Sequence, residues 1–161
     1  MVLGDLKFEA ALDHLAGLGV QAVELVAGGY ARSAHCPLDS LLASEKKRRA
    51  LLHAVASRGL QISALNAAGN PLHPRRGLAA GFDRDYRKVV RLAAQLGVGT
   101  VITFSGCPGG APGDRTPNWV TCPWPPDYLE ILQYQWDKVV IPYWSKTAEW
   151  TRREGIRRWA G

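Results

Sequence analysis

The sequence predicts an α/β fold of alternating helices and parallel strands, and within that class a partial (β/α)8 TIM barrel. Three observations carry the prediction. The segments "LGVQAVEL" (18–25), "RGLQISAL" (58–65) and "LGVGTVIT" (96–103) align, each a glycine followed by a short apolar run rich in β-branched residues. Their glycines, Gly19, Gly59 and Gly97, stand 40 and 38 residues apart. Each glycine also ends a segment of helical periodicity, as a residue that must turn left-handed at a helix stop does. A helix, glycine, strand and loop repeated at this interval imply parallel strands joined by right-handed crossovers. An open doubly wound sheet is the competing outcome. No GxGxxG follows the first strand and no GxxxxGK(S/T) occurs anywhere, which weakens its nucleotide-binding forms. The regular period favours the barrel.

The elements follow in order. "FEAALDHLAGL" (8–18) sets Phe8, Leu12, Leu15 and Leu18 at helical spacing, and a strand is expected over 20–26. "EKKRRALLHAVASR" (45–58) predicts the next helix, before a strand at 60–66. "DRDYRKVVRLAAQL" (83–96) predicts the third, before a strand at 99–105. A long helix then starts at Asp127, where Asp127 and Glu130 form a D-x-x-E capping pattern. Leu129, Leu132, Trp136, Val139 and Tyr143 would make its buried stripe, and Pro142 should kink or restart it. Gly155 gives a fourth stop, but "IRRWAG" lacks the apolar run of a further strand. A complete barrel takes about 250 residues. Residues 1–161 therefore read as one partial barrel domain, about strands two to four with their helices, truncated before strand five.

Composition bounds the function. No apolar run approaches the roughly 20 residues of a membrane span, and no basic-then-apolar leader opens the chain, so a cytoplasmic location is the default. Lys and Arg number 20 against 14 Asp and Glu, a net charge of +6. "EKKRR" (45–49) and "RREGIRR" (152–158) lie apart rather than in one patch, so nucleic acid is not the expected partner. Cys36, Cys107 and Cys122 each precede a proline, with no CxxC spacing, which argues against a disulfide framework or zinc knuckle.

Ligands of parallel sheets bind beyond the C-terminal strand ends. Three loops leave those ends. "ELVAGGYARSAHCPLDS" (24–40) offers the Glu24 carboxylate, and a Gly28–Gly29 turn that can swing Tyr30 over a pocket. His35 and Cys36 are expected to decorate that loop. "LNAAGNPLHP" (65–74) offers Asn66 and Asn70, which donate and accept as a polyhydroxylated ligand requires, with His73 held between prolines. The third loop, rich in Gly and Pro, precedes Asp127 and carries Trp119 and Trp124, which suit a lid against a sugar's C–H face.

"FEAALDHLAGLGVQAVEL" with "GGY", "ISALNAAGNPLHP", "TVITFSGCPGG" and "PNWVTCPWPP" together resemble sugar phosphate isomerase/epimerases of the xylose-isomerase-like kind, over about residues 4 to 155. The resemblance implies a (β/α)8 barrel that holds a divalent metal, often Mn, Mg, Co or Zn. It also implies a pair of glutamates that move a proton between neighbouring sugar carbons. The family's metal ligands lie on the fifth to eighth strands, so none is carried over: no metal ligand and no catalytic residue is assigned, and this chain alone is expected to bind no metal and to be inactive. His73, Asn66, Asn70, Glu24, Tyr30, Ser105, Trp119 and Trp124 are the expected substrate-binding residues, for a sugar or sugar phosphate. Open strand edges imply a homodimer or a second half-barrel as partner. Two alternatives are a non-catalytic half-barrel interaction subunit and an enzyme like the zinc-dependent abasic-site endonucleases. His73 could pass for a zinc ligand of the latter, whereas Ser105 and Gly106 replace another.

Overall fold

A computed structural model of the chain describes residues 3–31 and 34–156, and the backbone of 158–160. The ends of the sequence reading, "MV" and the residues at 157 and 161, lie outside the described residues. The elements run α1 (Phe8–Gly17), β1 (Ala22–Val26), α2 (Leu38–Ala43), α3 (Glu45–Ala56), β2 (Gln61–Asn66), α4 (Arg76–Leu96), β3 (Thr100–Ile102), α5 (Asp127–Tyr134), a π-helical segment (Gln135–Val140), α6 (Ile141–Arg153) and β4 (Arg158–Ala160). The repeat glycines behave as their positions demand: Gly19, Gly59, Gly97 and Gly155 have φ of 76°, 71°, 72° and 87°.

The partial barrel is corrected by the sheet itself. The strands form one open parallel sheet in the order β1-β2-β3-β4, so the molecule is a small open α/β domain. The repeat dictates parallel strands and crossover hand, which are local properties. Closure depends on strand number, tilt and shear, which the repeat does not encode. The expected stop before a further strand is also corrected. Arg158, Trp159 and Ala160 pair with Thr100, Val101 and Ile102, because a ladder uses backbone groups and tolerates a polar sequence.

Sequential order with right-handed crossovers puts the helices over one sheet face. Val23, Leu25, Leu65 and Val101 meet Leu51 and Val55 of α3 and Val89, Val90, Leu92 and Ala93 of α4 in one core. Ala22 and Glu24 alternate with them on β1 and stay exposed. Ser44 caps α3 by accepting from the Lys47 amide at 3.3 Å, which stabilises a helix start by about 1 kcal/mol. α4 is longer than its periodic stretch: it begins at Arg76, just beyond Pro74. α2 lies within what reads as loop, and it buries Leu41.

α6 packs on α4 through polar bonds within apolar surroundings. The Tyr143 hydroxyl donates to Asp83 at 2.8 Å, and Arg87 donates to the same carboxylate at 2.8 Å. The Arg87 guanidinium also lies 4.6 Å from the centre of the Trp150 ring. Burial, and then the Asp83 carboxylate, push the Tyr143 phenol well above its usual range.

The long C-terminal helix departs from its expected stripe. Asp127 is its first residue rather than its cap, and no side chain caps it. Leu129 and Trp136 are 48% and 43% exposed. The buried set is Gln135, Val140, Trp144, Thr147 and Thr151. The step from Gln135 to Val140 is five residues, the spacing of a π turn, and it rotates the buried stripe by one position. Pro142 follows directly on the π segment, and the backbone stays helical through Val140 and Ile141 into α6, so the helix runs on past the proline. Cys36 is likewise not loop decoration: it is 1% exposed in the core.

Candidate functional site

The three loops beyond β1, β2 and β3 are stitched together by backbone and side-chain hydrogen bonds, and they line a cleft of about 550 Å³. Gly29 makes the first contact possible. Its φ is 91°, and a Cβ there would stand 2.0 Å from the Ala68 carbonyl oxygen. That oxygen instead accepts from the Tyr30 amide at 2.7 Å, which locks the first loop onto the second. The Tyr30 ring then packs on Phe82 with centroids 4.6 Å apart, yet remains 62% exposed at the cleft.

Asn70 joins the second loop to the third. It is 4% exposed. Its Nδ2 donates to the Cys107 carbonyl at 2.8 Å, while its Oδ1 accepts from the amides of Cys107 at 2.8 Å and Leu72 at 3.2 Å. Gly106 fits beneath this clamp with φ of 92°, where a Cβ would approach Leu72 at 2.9 Å. Thr103 donates to the Ala67 carbonyl at 3.2 Å, and the Trp144 indole donates to the Ser105 carbonyl at 2.7 Å. The cleft floor is therefore held from β2 and from α6 together. Burial raises the Cys107 thiol, which makes it a poor nucleophile.

The expected site residues divide by position. Tyr30, Asn70 and Ser105 line the cleft together. Asn66 instead donates to the Glu24 carboxylate at 2.6 Å and accepts from the Ala68 amide at 2.8 Å, so the pair joins β1 to β2. Glu24 lines a separate groove beside α1. His73 accepts from the Arg75 amide through Nδ1 at 2.9 Å, which leaves the neutral ring's proton on Nε2. His73 thus shapes the turn into α4 and is not part of the cleft lining. Trp119 is half-buried against Trp136, with centroids 5.6 Å apart, whereas Trp124 is 73% exposed. Gln135 anchors this loop: it donates to the carbonyls of Gly109 at 3.2 Å and Asn118 at 2.9 Å, and accepts from the Val120 amide at 3.2 Å.

Sequence reasoning passed over Phe104, which is 56% exposed at the cleft rim, along with Thr103 and Cys107. Phe104 sits inside the apolar run of a predicted strand. β3 ends at Ile102, two residues earlier than its hydrophobicity implies, and that early end turns the ring out. The residues present do not fit a divalent metal. The cleft offers amide, hydroxyl and thiol groups without a carboxylate or imidazole, and no three His, Cys, Asp or Glu side chains converge among the described residues. Among those residues, too, no helix is long and apolar enough to cross a membrane.

Fold and site together define an open parallel α/β domain with an uncharged, aromatic-rimmed cleft at its strand ends. No family model matches the chain. It is similar to the uncharacterized protein YfiH of Bacillus subtilis (strain 168), at 42% identity over 157 residues, which are 96% of this chain and 50% of that protein. The chain thus spans about half the length of the curated relative it matches.

Proposed function

We propose that the chain is the sugar-binding portion of an isomerase or epimerase acting on a sugar or sugar phosphate. The observation that carries this reading is the cleft: two exposed rings, Tyr30 and Phe104, at the rim of a floor of amide and hydroxyl groups. Aromatic faces take up the C–H surface of a pyranose or open-chain sugar, and amides and hydroxyls match its hydroxyl groups. The Asn70 amide, which already bonds Cys107, and the side chain of Ser105 belong to the lining of that floor. The residues here bind and orient the ligand. The family chemistry of ketose–aldose interconversion or epimerisation needs a base to remove a proton at carbon, and the cleft lining holds no carboxylate or imidazole to do so. Turnover by this chain alone is therefore not expected. An uncharged lining also favours the free sugar over its phosphate ester, since a phosphate would enter without a cation to receive it.

Calorimetric titration with a panel of aldoses, ketoses and their phosphate esters tests this. Binding of a free sugar is expected. Phe104→Ala should weaken it by about 2- to 12-fold, the worth of one aromatic contact of about 0.5–1.5 kcal/mol. Saccharide affinity that is absent, or that ignores both Phe104→Ala and Tyr30→Ala, would remove the proposal.

A further inference from the structure

The first two loops are seated on one face of α4. Phe82, Asp85 and Val89 follow one another there at three and four residues, so they share a side of the helix. A Cβ at Gly28 would meet Val89 at 3.1 Å and Asp85 at 3.6 Å. A Cβ at Gly69 would stand 2.5 Å from the Phe82 ring and 3.3 Å from the Phe82 Cβ. Neither glycine has a positive φ, so the missing side chains serve close approach rather than a turn. The contact at Gly69 is the tighter of the two. Gly69 belongs to the cleft wall, whereas the half-buried Phe82 is not part of the lining and stands behind it.

Phe82 also touches the other side of the cleft mouth. Tyr30 is the first loop's contribution to the lining. The bond from its amide to the Ala68 carbonyl fixes the chain there, but it leaves the side-chain torsions to be chosen by packing. At 62% exposure the ring has little around it. Its ring neighbour is Phe82, at 4.6 Å between centroids and a 55° tilt, a favourable arrangement for two aromatic side chains. We propose that Phe82 is a positioning residue, which holds the Tyr30 ring over the cleft, and that Gly69 is the seat that lets it do so. The inference rests on the sugar-binding reading and deepens it: the placement of Tyr30, and not its presence alone, sets the affinity. Without the Phe82 ring, Tyr30 keeps its backbone anchor and loses its backing. A methyl group at Gly69 displaces the Phe82 ring and reaches Tyr30 by the same route.

A double-mutant cycle tests this, read by calorimetry with the free aldoses and ketoses of the same panel, D-glucose and D-fructose first. Phe82→Ala and Gly69→Ala should each weaken binding by about 2- to 12-fold, up to the whole worth of the Tyr30 contact. In a Tyr30→Ala background neither should cost anything more, because a residue that acts through Tyr30 has nothing left to act on. A general loosening of the fold would instead add its loss to that of Tyr30→Ala. Tyr30 ring resonances, recorded without sugar, should shift in both variants. Circular dichroism establishes that the variants fold, and Gly69→Ala carries the test alone if Phe82→Ala does not. Parental affinity in the folded variants, additive losses, or an unmoved Tyr30 ring would each overturn the assignment while leaving the sugar-binding reading in place. A parent chain that binds no sugar overturns both.

Discussion

The asparagines beyond β2 show how chemistry is spent at the scale of one residue. Asn66 and Asn70 look equivalent in sequence, four residues apart in a stiff loop. Asn70 spends its carbonyl on two backbone amides and faces the cleft, whereas Asn66 is occupied by Glu24 and Ala68. That both belong to a polar loop at a strand end is legible from the run of turn formers. Which one reaches the cleft is not, because their partners come from residues about 40 positions away. Cys36 carries a sharper consequence. Burial pushes its thiol from 9.0 up to about 11, because the core disfavours the thiolate. A folded-state value raised above the unfolded one gives stability that is complete below about pH 9 and lost as pH climbs towards about 11. Full expression of that shift is worth roughly 3 kcal/mol. Tyr86 and Tyr143, raised by burial in the same sense, steepen the same decline. Urea unfolding between about pH 8 and about pH 11 should therefore show a smaller loss for Cys36→Ala than for the parent chain. Parallel slopes for the two proteins would mean that the thiol does not sense the core.

Among the elements, the repeat glycines and the helices they end were readable because the left-handed stop and the helical period are both local signals. The six-residue α2 was not, since it is too short to show a period. The C-terminal helix was readable in its start and length but not in its facing, because a π turn leaves no mark in a 3.6-residue pattern. The π segment is explained by Gln135, which is fully buried and bonded to three residues of the long loop, Gly109, Asn118 and Val120. Replacing it by Leu keeps the bulk but strands those backbone groups, at about 1–3 kcal/mol for each one left dry. Gln135→Leu should therefore release the loop without melting the sheet. Limited proteolysis should cut near Trp119 and Trp124 at least several-fold faster, while the Tyr86–Trp144 contact, with ring centroids 5.9 Å apart, keeps its near-UV signature. Unchanged cleavage would show that Trp119 on Trp136 suffices to hold the loop.

For the molecule as a whole, four strands in sequential order leave a gradient of protection from centre to edge. β2 and β3 are paired on both sides, and Leu65, Val89, Val90 and Val101 around them are fully buried. Among the described residues, β1 and β4 are paired on one side only. Open edges at either end were expected from the run of strands, but that β3 would be paired on both sides was not legible, because "IRRWAG" lacks the apolar run of a strand whereas β4 pairs through its backbone. Amide exchange separates the two, since a two-sided strand opens only with the core whereas an edge strand can open locally. The β2 amides should exchange slowest, at rates that track global unfolding in added denaturant. Those of β1 should exchange faster and with a weaker denaturant dependence. The Arg58–Asp13 pair ties α1, which flanks β1, to the turn between α3 and β2, so Asp13→Ala should loosen α1 and speed β1 exchange by a factor of a few at most, as the loss of an exposed ion pair does, with the β2 amides little changed. If β1 instead exchanged in step with β2, the sheet would open as one unit and its edge would offer no separately accessible surface.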